Sequence, residues 1–379
     1  MVTAHVTSHT LEQPPSRTRY SMSSLSIVTM STLGKKALRW TKVRSRSFVA
    51  LFGRLAPLSA LLQCSEREPL VSVLHAEAIF ARSAEPVISF ILANDTTGFL
   101  ATSKALYRRH VTAGREWTQL GRLDSIPGLT PNYLYAPSAQ EVYVMSIGCG
   151  TVVRWQELGG LSQLMTPASA SISRRGHTTD CIVFYDMKGN SANELYFAGS
   201  RGTIFRFDGV SFERIPLPVV SSPPPIIVNL AVTQGRIYAR TSTGTVFGGS
   251  AGRLKLVTAP TLEAEGDCSY SFLVSAGDDP VLIGEGGCAA RLHDGTWRSV
   301  LAAKNIPPGS AFIGVSHTAS SPLLFWSGPG SIWELESKLR EYRLPTIGRS
   351  TFATASPSHL FFISNGSLFR ANRTLPPKP

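Results

Sequence analysis

Residues 173–181, SRRGHTTDC, place two guanidiniums, an imidazole and a carboxylate within seven positions, as Arg174, Arg175, His177 and Asp180. An arginine pair can grip an anionic group and a His–Asp pair can move a proton, so this is the most function-like loop of the chain and its candidate ligand-binding site. A solvated loop is the plainer reading of the same residues. Hydrolysis of a sugar linkage would need paired carboxylates across a pocket. The remaining acids that could serve, Asp186, Asp267, Asp278, Asp279 and Glu285, are scattered, most of them at expected strand ends or turns where a carboxylate caps backbone donors. No G-x-S-x-G elbow or H-E-x-x-H helix occurs, and GSAG at 249–252 reads as a loop rather than a phosphate cradle. These residues favour a binding module over an enzyme and call for no cofactor. A polysaccharide-acting hydrolase or lyase is the alternative.

Five cysteines raise a second chemistry. Cys64 stands apart near the N-terminus, leaving Cys149, Cys181, Cys268 and Cys288. An even number in an exported body allows two disulfides, and nearness in sequence favours Cys149 with Cys181 and Cys268 with Cys288. Four reduced thiols are the alternative. No pair has C-x-x-C spacing and none has a His at ligand distance along the chain, so no metal site is expected.

The formal net charge of +12 would suit a nucleic-acid binder if it were spread over the chain. It is not. Residues 1–64 hold nine Lys or Arg against the single acid Glu12, whereas residues 65–379 hold 28 basic and 24 acidic side chains. A body so near balance offers no stripe for neutralising phosphates, and no nucleic-acid partner is expected. The acid-poor, Ser-, Thr- and Arg-rich first 64 residues read as an unstructured leader, followed by one folded unit over 65–379. Within the leader a basic stretch from Lys35 to Arg46 precedes an apolar run, Phe48 to Leu62, that stops at Cys64. That is the order of an export signal. Its end resembles a lipoprotein signal, in which the cysteine is acylated and becomes the mature N-terminus. Gln63 departs from that pattern, which wants a small residue there, and Arg54 and Pro57 interrupt the run. A non-lipidated secretory signal and an organelle transit peptide are the alternatives, with Met22 or Met30 as alternative starts. No run reaches the roughly 18 apolar residues of a spanning helix. Membrane contact is therefore expected only through a lipid anchor, in a protein that is periplasmic, outer-membrane-anchored or extracellular. Asn94, Asn365 and Asn372 head N-x-[ST] triplets, which matter only in a eukaryotic secretory pathway.

The elements that must position these residues repeat. ELYFAGSRGTIFRFDGVSFERI, residues 194–215, reads as a three-stranded meander: Glu194 to Ala198, Thr203 to Phe207 and Ser211 to Ile215, with a tight hairpin expected at Asp208-Gly209. The same plan recurs around Tyr107, Val153, Phe205, Phe247, Ala290, Trp333 and Phe369, at spacings of 36 to 52 residues and about 44 on average. That period belongs to four-stranded propeller blades. A further strand lies upstream of most copies, as in NYLYAPS and IIVNLAV. One small sheet cannot cover both of its own faces, but sheets arranged radially cover one another, and runs such as LLFWS at 323–327 are accordingly apolar on both sides.

Closure of the ring follows from the ends. After Phe369 only RANRTLPPKP remains, and its prolines cannot support a strand. The last blade thus lacks an outer strand, while VSVLHAEAIF, Val71 to Phe80, has no other place. It is expected to pair onto the last blade. A short helix over LHAEAIFARS is the competing reading.

The G-T-φ-x-x-[FY]-D-G-x-x-[FW] core, present as Gly202, Thr203, Ile204, Phe207, Asp208, Gly209 and Phe212 and in part as LHDGTW at 292–297, resembles the blades of bacterial extracytoplasmic propellers. That set includes photosystem assembly factors and sialidase-like repeat proteins. The sialidase-type Asp-box is only fragmentary here, so the resemblance carries over fold and not glycosidase activity. The sequence thus describes an all-β protein: a seven-bladed β-propeller of four-stranded antiparallel blades behind an unstructured leader. Its expected role is as an exported monomer that binds a protein or glycan on the face carrying the inter-blade and middle-strand loops.

Overall fold

The second strand of each blade shows most directly how the sequence makes the fold. EVYVMS, ELYFAG, DPVLIG and HLFFIS each present one half-exposed residue followed by five buried ones. A strand buried on both faces must be apolar throughout, which is why these runs do not alternate. A computed structural model describes residues 70–81, 85–111, 116–147, 150–164, 166, 181–218, 222–233, 235–258, 270–284, 288–301, 312–316, 323–327, 331–335, 339–344 and 350–373. Every regular element among them is a strand.

Two strands come first, β1 (Leu70–Val73) and β2 (Ala76–Phe80). Blade 1 is β3 (Val87–Leu92), β4 (Thr97–Thr102), β5 (Ala105–His110) and β6 (Thr118–Arg122). Blade 2 is β7 (Pro131–Ser138), β8 (Glu141–Ser146), β9 (Val152–Gln156) and β10 (Gly160–Leu164). Blade 3 is β11 (Phe184–Ser191), β12 (Glu194–Gly199), β13 (Thr203–Phe207) and β14 (Phe212–Ile215). Blade 4 is β15 (Ile227–Thr233), β16 (Arg236–Thr241), β17 (Val246–Ser250) and β18 (Lys255–Val257). Blade 5 is β19 (Tyr270–Ala276), β20 (Asp279–Gly284), β21 (Ala289–His293) and β22 (Thr296–Leu301). Blade 6 contains β23 (Phe312–Ser316), β24 (Leu323–Ser327), β25 (Ser331–Leu335) and β26 (Leu339–Arg343), and blade 7 contains β27 (Ser350–Ala355), β28 (His359–Ser364) and β29 (Ser367–Asn372). The first strands of consecutive blades touch all the way round, and β27 touches β3, so the ring closes.

The core is divided as a radial arrangement requires. Seven clusters of buried side chains each draw on two adjacent blades, one cluster for each of the seven seams. Between blades 2 and 3, for example, Tyr143 and Met145 meet Phe184, Phe197 and Phe205. Burying one such side chain contributes about 1.5–3 kcal/mol. Where a large ring crosses an inner strand the sequence gives way: a Cβ at Gly314 would run into the Trp326 indole.

Polar side chains brace blades 2 and 3 from within as well. Tyr143 donates to Glu141 at 2.8 Å, and Arg154 donates to the same carboxylate at 2.5 Å. One blade on, Tyr196 repeats the bond to Glu194 at 2.9 Å. Burial, and then the adjacent Glu141 or Glu194, pushes both phenol pKa values up.

The turn at Asp208-Gly209 departs from expectation. Only Gly209 has positive φ there, and Asp208 Oδ1 accepts from the backbone of Val210 and Ser211 at 2.9 and 2.7 Å, capping a four-residue loop. The tight turn of this blade lies instead at Arg201-Gly202, where φ is 58° and 62°. A carboxylate that caps its own loop holds the chain in a wider turn than a two-residue hairpin.

The N-terminal segment closes the ring, but on two blades rather than one. β2 is the outer strand of blade 7, antiparallel to β29, which excludes the helix. β1 pairs in parallel with β26 and makes blade 6 five-stranded. Leu74 N still donates to the Arg343 carbonyl at 3.0 Å before the chain crosses to blade 7. Beyond β2 the seam to blade 1 is fastened by Arg109 Nη1 and Trp117 Nε1, which donate to the Ile79 carbonyl at 3.1 and 2.9 Å. Phe80 packs its edge against Tyr107 and Trp117.

Candidate binding face

Neighbouring strands alternate in direction, so each blade has two ends. The inner strands start, and the second strands turn into the third, at the connection face. The opposite end is the turn face. Six of the seven inner strands have room for chemistry only through neutral groups: Asp186 and Lys188 of β11 are the only charged residues that any inner strand carries.

All seven inner strands break register at the same place, their second residue. The pairing skips Ile88, Asn132, Tyr185, Val228, Ser271, Ile313 and Thr351. A bulge leaves its extra residue outside the ladder and re-aims its side chain. Seven of them therefore form a ring of displaced peptide units around the channel mouth on the connection face. Thr351 is exposed, and Ile88, Asn132, Tyr185, Val228 and Ser271 are half-buried. Asn132 Oδ1 accepts from Ile147 N at 3.0 Å, so this side chain also holds the adjacent turn.

Deeper along the same strands, polar side chains bridge blades. Asp186, buried, accepts from Met187 N at 2.9 Å through Oδ1 and from Leu230 N of blade 4 at 2.7 Å through Oδ2. Lys188 Nζ lies 3.3 Å from the same carboxylate. Ser275 accepts from Val232 N and donates to the Val232 carbonyl, both at 2.9 Å. Tyr133 stands beside Asp186, and burial first and that carboxylate second push its phenol pKa up.

Asp186 corrects the expectation of a carboxylate at a strand end. It sits inside an inner strand because an inner edge has backbone donors that no further strand can satisfy, and a buried carboxylate bonded to two of them answers that need. Asp279, by contrast, begins β20 and lies 3.0 Å from His293 Nδ1, and Asp278 is in the turn before it. Arg174, Arg175, His177 and Asp180 lie outside the described residues, as do Cys64, Cys149, Cys268, Asp267 and Glu285. Cys181 leads into β11 half-buried, and Cys288 is fully buried ahead of β21. Among the described residues no group of three or more metal-ligating side chains gathers, and no helix is long and apolar enough to cross a membrane. The bulge ring escaped sequence reading because its seven positions share no residue type.

No family model and no curated protein matches the chain. Solved structures do. Virginiamycin B lyase from Staphylococcus aureus, solved as an inactive variant with quinupristin, aligns at a TM-score of 0.62 and 12% identity, over 79% of this chain and 100% of that one. YCF48 bound to D1 peptide aligns at 0.59 and 12%, over 83% and 100%. PorZ of Porphyromonas gingivalis, a surface component of the type-IX secretion system, aligns at 0.55 and 12%, over 80% of this chain and 40% of that larger one. At such identity the likeness is one of fold, and the fold is the propeller that the strand pairing describes.

Proposed function

We propose that this chain is an exported, non-catalytic propeller that binds an extended segment of a protein partner across the channel mouth of its connection face. The observation that carries this reading is the ring of seven bulges, because displaced peptide units suit a ligand with backbone donors and acceptors of its own. In this reading Arg174, Arg175, His177 and Asp180, which precede β11 in the chain, serve the same ligand. Structural neighbours that hold a peptide, YCF48, or stand on a bacterial surface, PorZ, support binding and export. In this reading Cys64 is the lipidated N-terminus, and the two disulfides pair Cys149 with Cys181 and Cys268 with Cys288.

The test is a photo-crosslinking residue placed at Tyr185, at the mouth, or at Leu158, a fully exposed turn-face residue. The expected result is a discrete, protease-sensitive adduct from position 185 alone, weakened when Arg174 and Arg175 are both replaced by Ala. Equal adducts from both positions would refute the reading. A protease-resistant adduct would mark a glycan ligand instead. Cys64→Ala should move the protein from membrane to soluble fractions, and unchanged fractionation would remove the anchor.

A further inference from the structure

Where a second strand turns into a third, on the connection face, the first residue of the turn is Ser103, Ser200, Ser242 or Asn365 in blades 1, 3, 4 and 7. Serine and asparagine suit such turns because their side chains bond nearby backbone groups. Blade 2 has Ile147 there instead, 43% exposed. Two blades on, Ile226 stands 37% exposed just ahead of β15. One exposed aliphatic residue is ordinary, but these two bound a larger apolar surface. Between and beside them lie the half-buried bulge residues Tyr185 and Val228 and the exposed Pro224, and the inner strands of blades 2, 3 and 4 touch in turn. The three blades thus carry an apolar arc on the rim of the channel mouth.

Backbone bonds fix the arc in place. Ile147 N donates to Asn132, Ser242 N donates to the Ile226 carbonyl at 2.9 Å, and Gly202 N donates to the Pro225 carbonyl at 2.6 Å. Pro224 is seated so closely on the blade 3 turn that a Cβ at Gly202 would stand 3.3 Å from its ring. Loops pinned in this way present their side chains with little left to order on binding. Charge then narrows the partner. Asp124, in the connection into blade 2, is already gripped by Arg122 at 3.0 and 2.7 Å. Arg201, exposed at the blade 3 turn, would meet a basic ligand as a like charge.

We propose that this arc selects a large apolar side chain in the bound segment, flanked by neutral or acidic residues, so that the partner is an extended peptide with an aliphatic or aromatic anchor. The inference rests on the peptide-binding reading of the channel mouth and adds what the peptide must carry. Displaced backbone groups around the mouth hold any extended chain, and the apolar arc over blades 2 to 4 chooses among them.

The test is fluorescence anisotropy of the full chain with three labelled peptides, each a Gly-Ser frame around a central Leu-Phe-Leu, Ser-Asn-Ser or Lys-Phe-Lys. Saturable binding of the Leu-Phe-Leu peptide is expected, about tenfold or more tighter than that of either other peptide. Ile147→Ser combined with Ile226→Ser should weaken it about tenfold, and because both side chains are exposed the variant should keep its fold. Leu158→Ser, on the turn face, should change nothing. No saturable binding of the Leu-Phe-Leu peptide, equal affinity for either other peptide, or wild-type affinity in the double variant would overturn the proposal. So would cosedimentation with phosphatidylcholine vesicles that the double variant loses, since the arc would then be a membrane contact. The Tyr185 adduct separates the two readings: if it persists while the peptides are not discriminated, the mouth binds a segment but the arc does not choose it.

Discussion

Arg373, the first residue past the last strand, grips Glu334 of the neighbouring blade with two parallel hydrogen bonds, 2.9 Å from Nε and 2.6 Å from Nη2. Their side chains are 5% and 3% exposed, and Tyr342 donates to the same carboxylate at 2.7 Å. Blades 6 and 7 are thus bolted together by charge at the very place where the chain must hold its two ends.

Removing one partner of such a pair strands the other without water. Arg373→Met should therefore destabilise the fold by about 3–5 kcal/mol, whereas Arg373→Met with Glu334→Leu should recover much of the loss. Urea denaturation of the two variants checks this. Equal losses from the single and double variants would mean that the pair itself, not the abandoned charge, carries the effect.

Ring closure predicts a sharp boundary for truncation. Deleting residues 1–69 leaves both closing strands and should leave the thermal midpoint almost unchanged. Deleting residues 1–80 bares the edge of β29 and removes the partner of Arg370 and Arg109, which should lower the midpoint by about 10 °C and promote association through the exposed edge. Thermal scans with size-exclusion chromatography distinguish the two.

Alkaline pH should unfold the protein through its tyrosines. Burial, followed by a nearby carboxylate, holds the phenols of Tyr133, Tyr135, Tyr143 and Tyr196 above their ordinary value of 10.0. Below that pH both states keep their protons and nothing is lost. As pH rises through it the unfolded chain ionises first, so stability falls with every further increase. Tyrosinate absorbance should lag for these groups and then rise together with loss of the folded signal. A smooth titration of all tyrosines in the folded protein would refute this.

The disulfide proposal makes a thiol count. Unfolded without reductant, the full-length chain should offer one reactive thiol, Cys64, and with reductant all five. Any larger number before reduction would show that at least one of the proposed pairs is absent.

The period of the blades was legible because burial on two faces leaves no choice of residue in the second strands: Val142 to Met145 and Leu195 to Ala198 could not be polar. The end-to-end closure was legible for a related reason, since the last blade was one strand short. Its division over two blades was not, because nothing in VSVLHAEAIF, neither Gly nor Pro, marks the crossing at Leu74–His75. Neither the bulges nor the Glu334–Arg373 pair leaves a local trace. A bulge is a property of how two strands register, filled here by Ile, Asn, Tyr, Val, Ser and Thr alike, and the ion pair joins residues on different blades whose distance in sequence says nothing of their contact.

The parallel pairing of β1 has a mechanical consequence. A pull on the segment ahead of Leu70, directed along the strand, strains its four paired positions against β26 together, in shear rather than by peeling. Only when they yield does the load reach β2, so a tethered propeller would surrender slack in two stages before its ring opened.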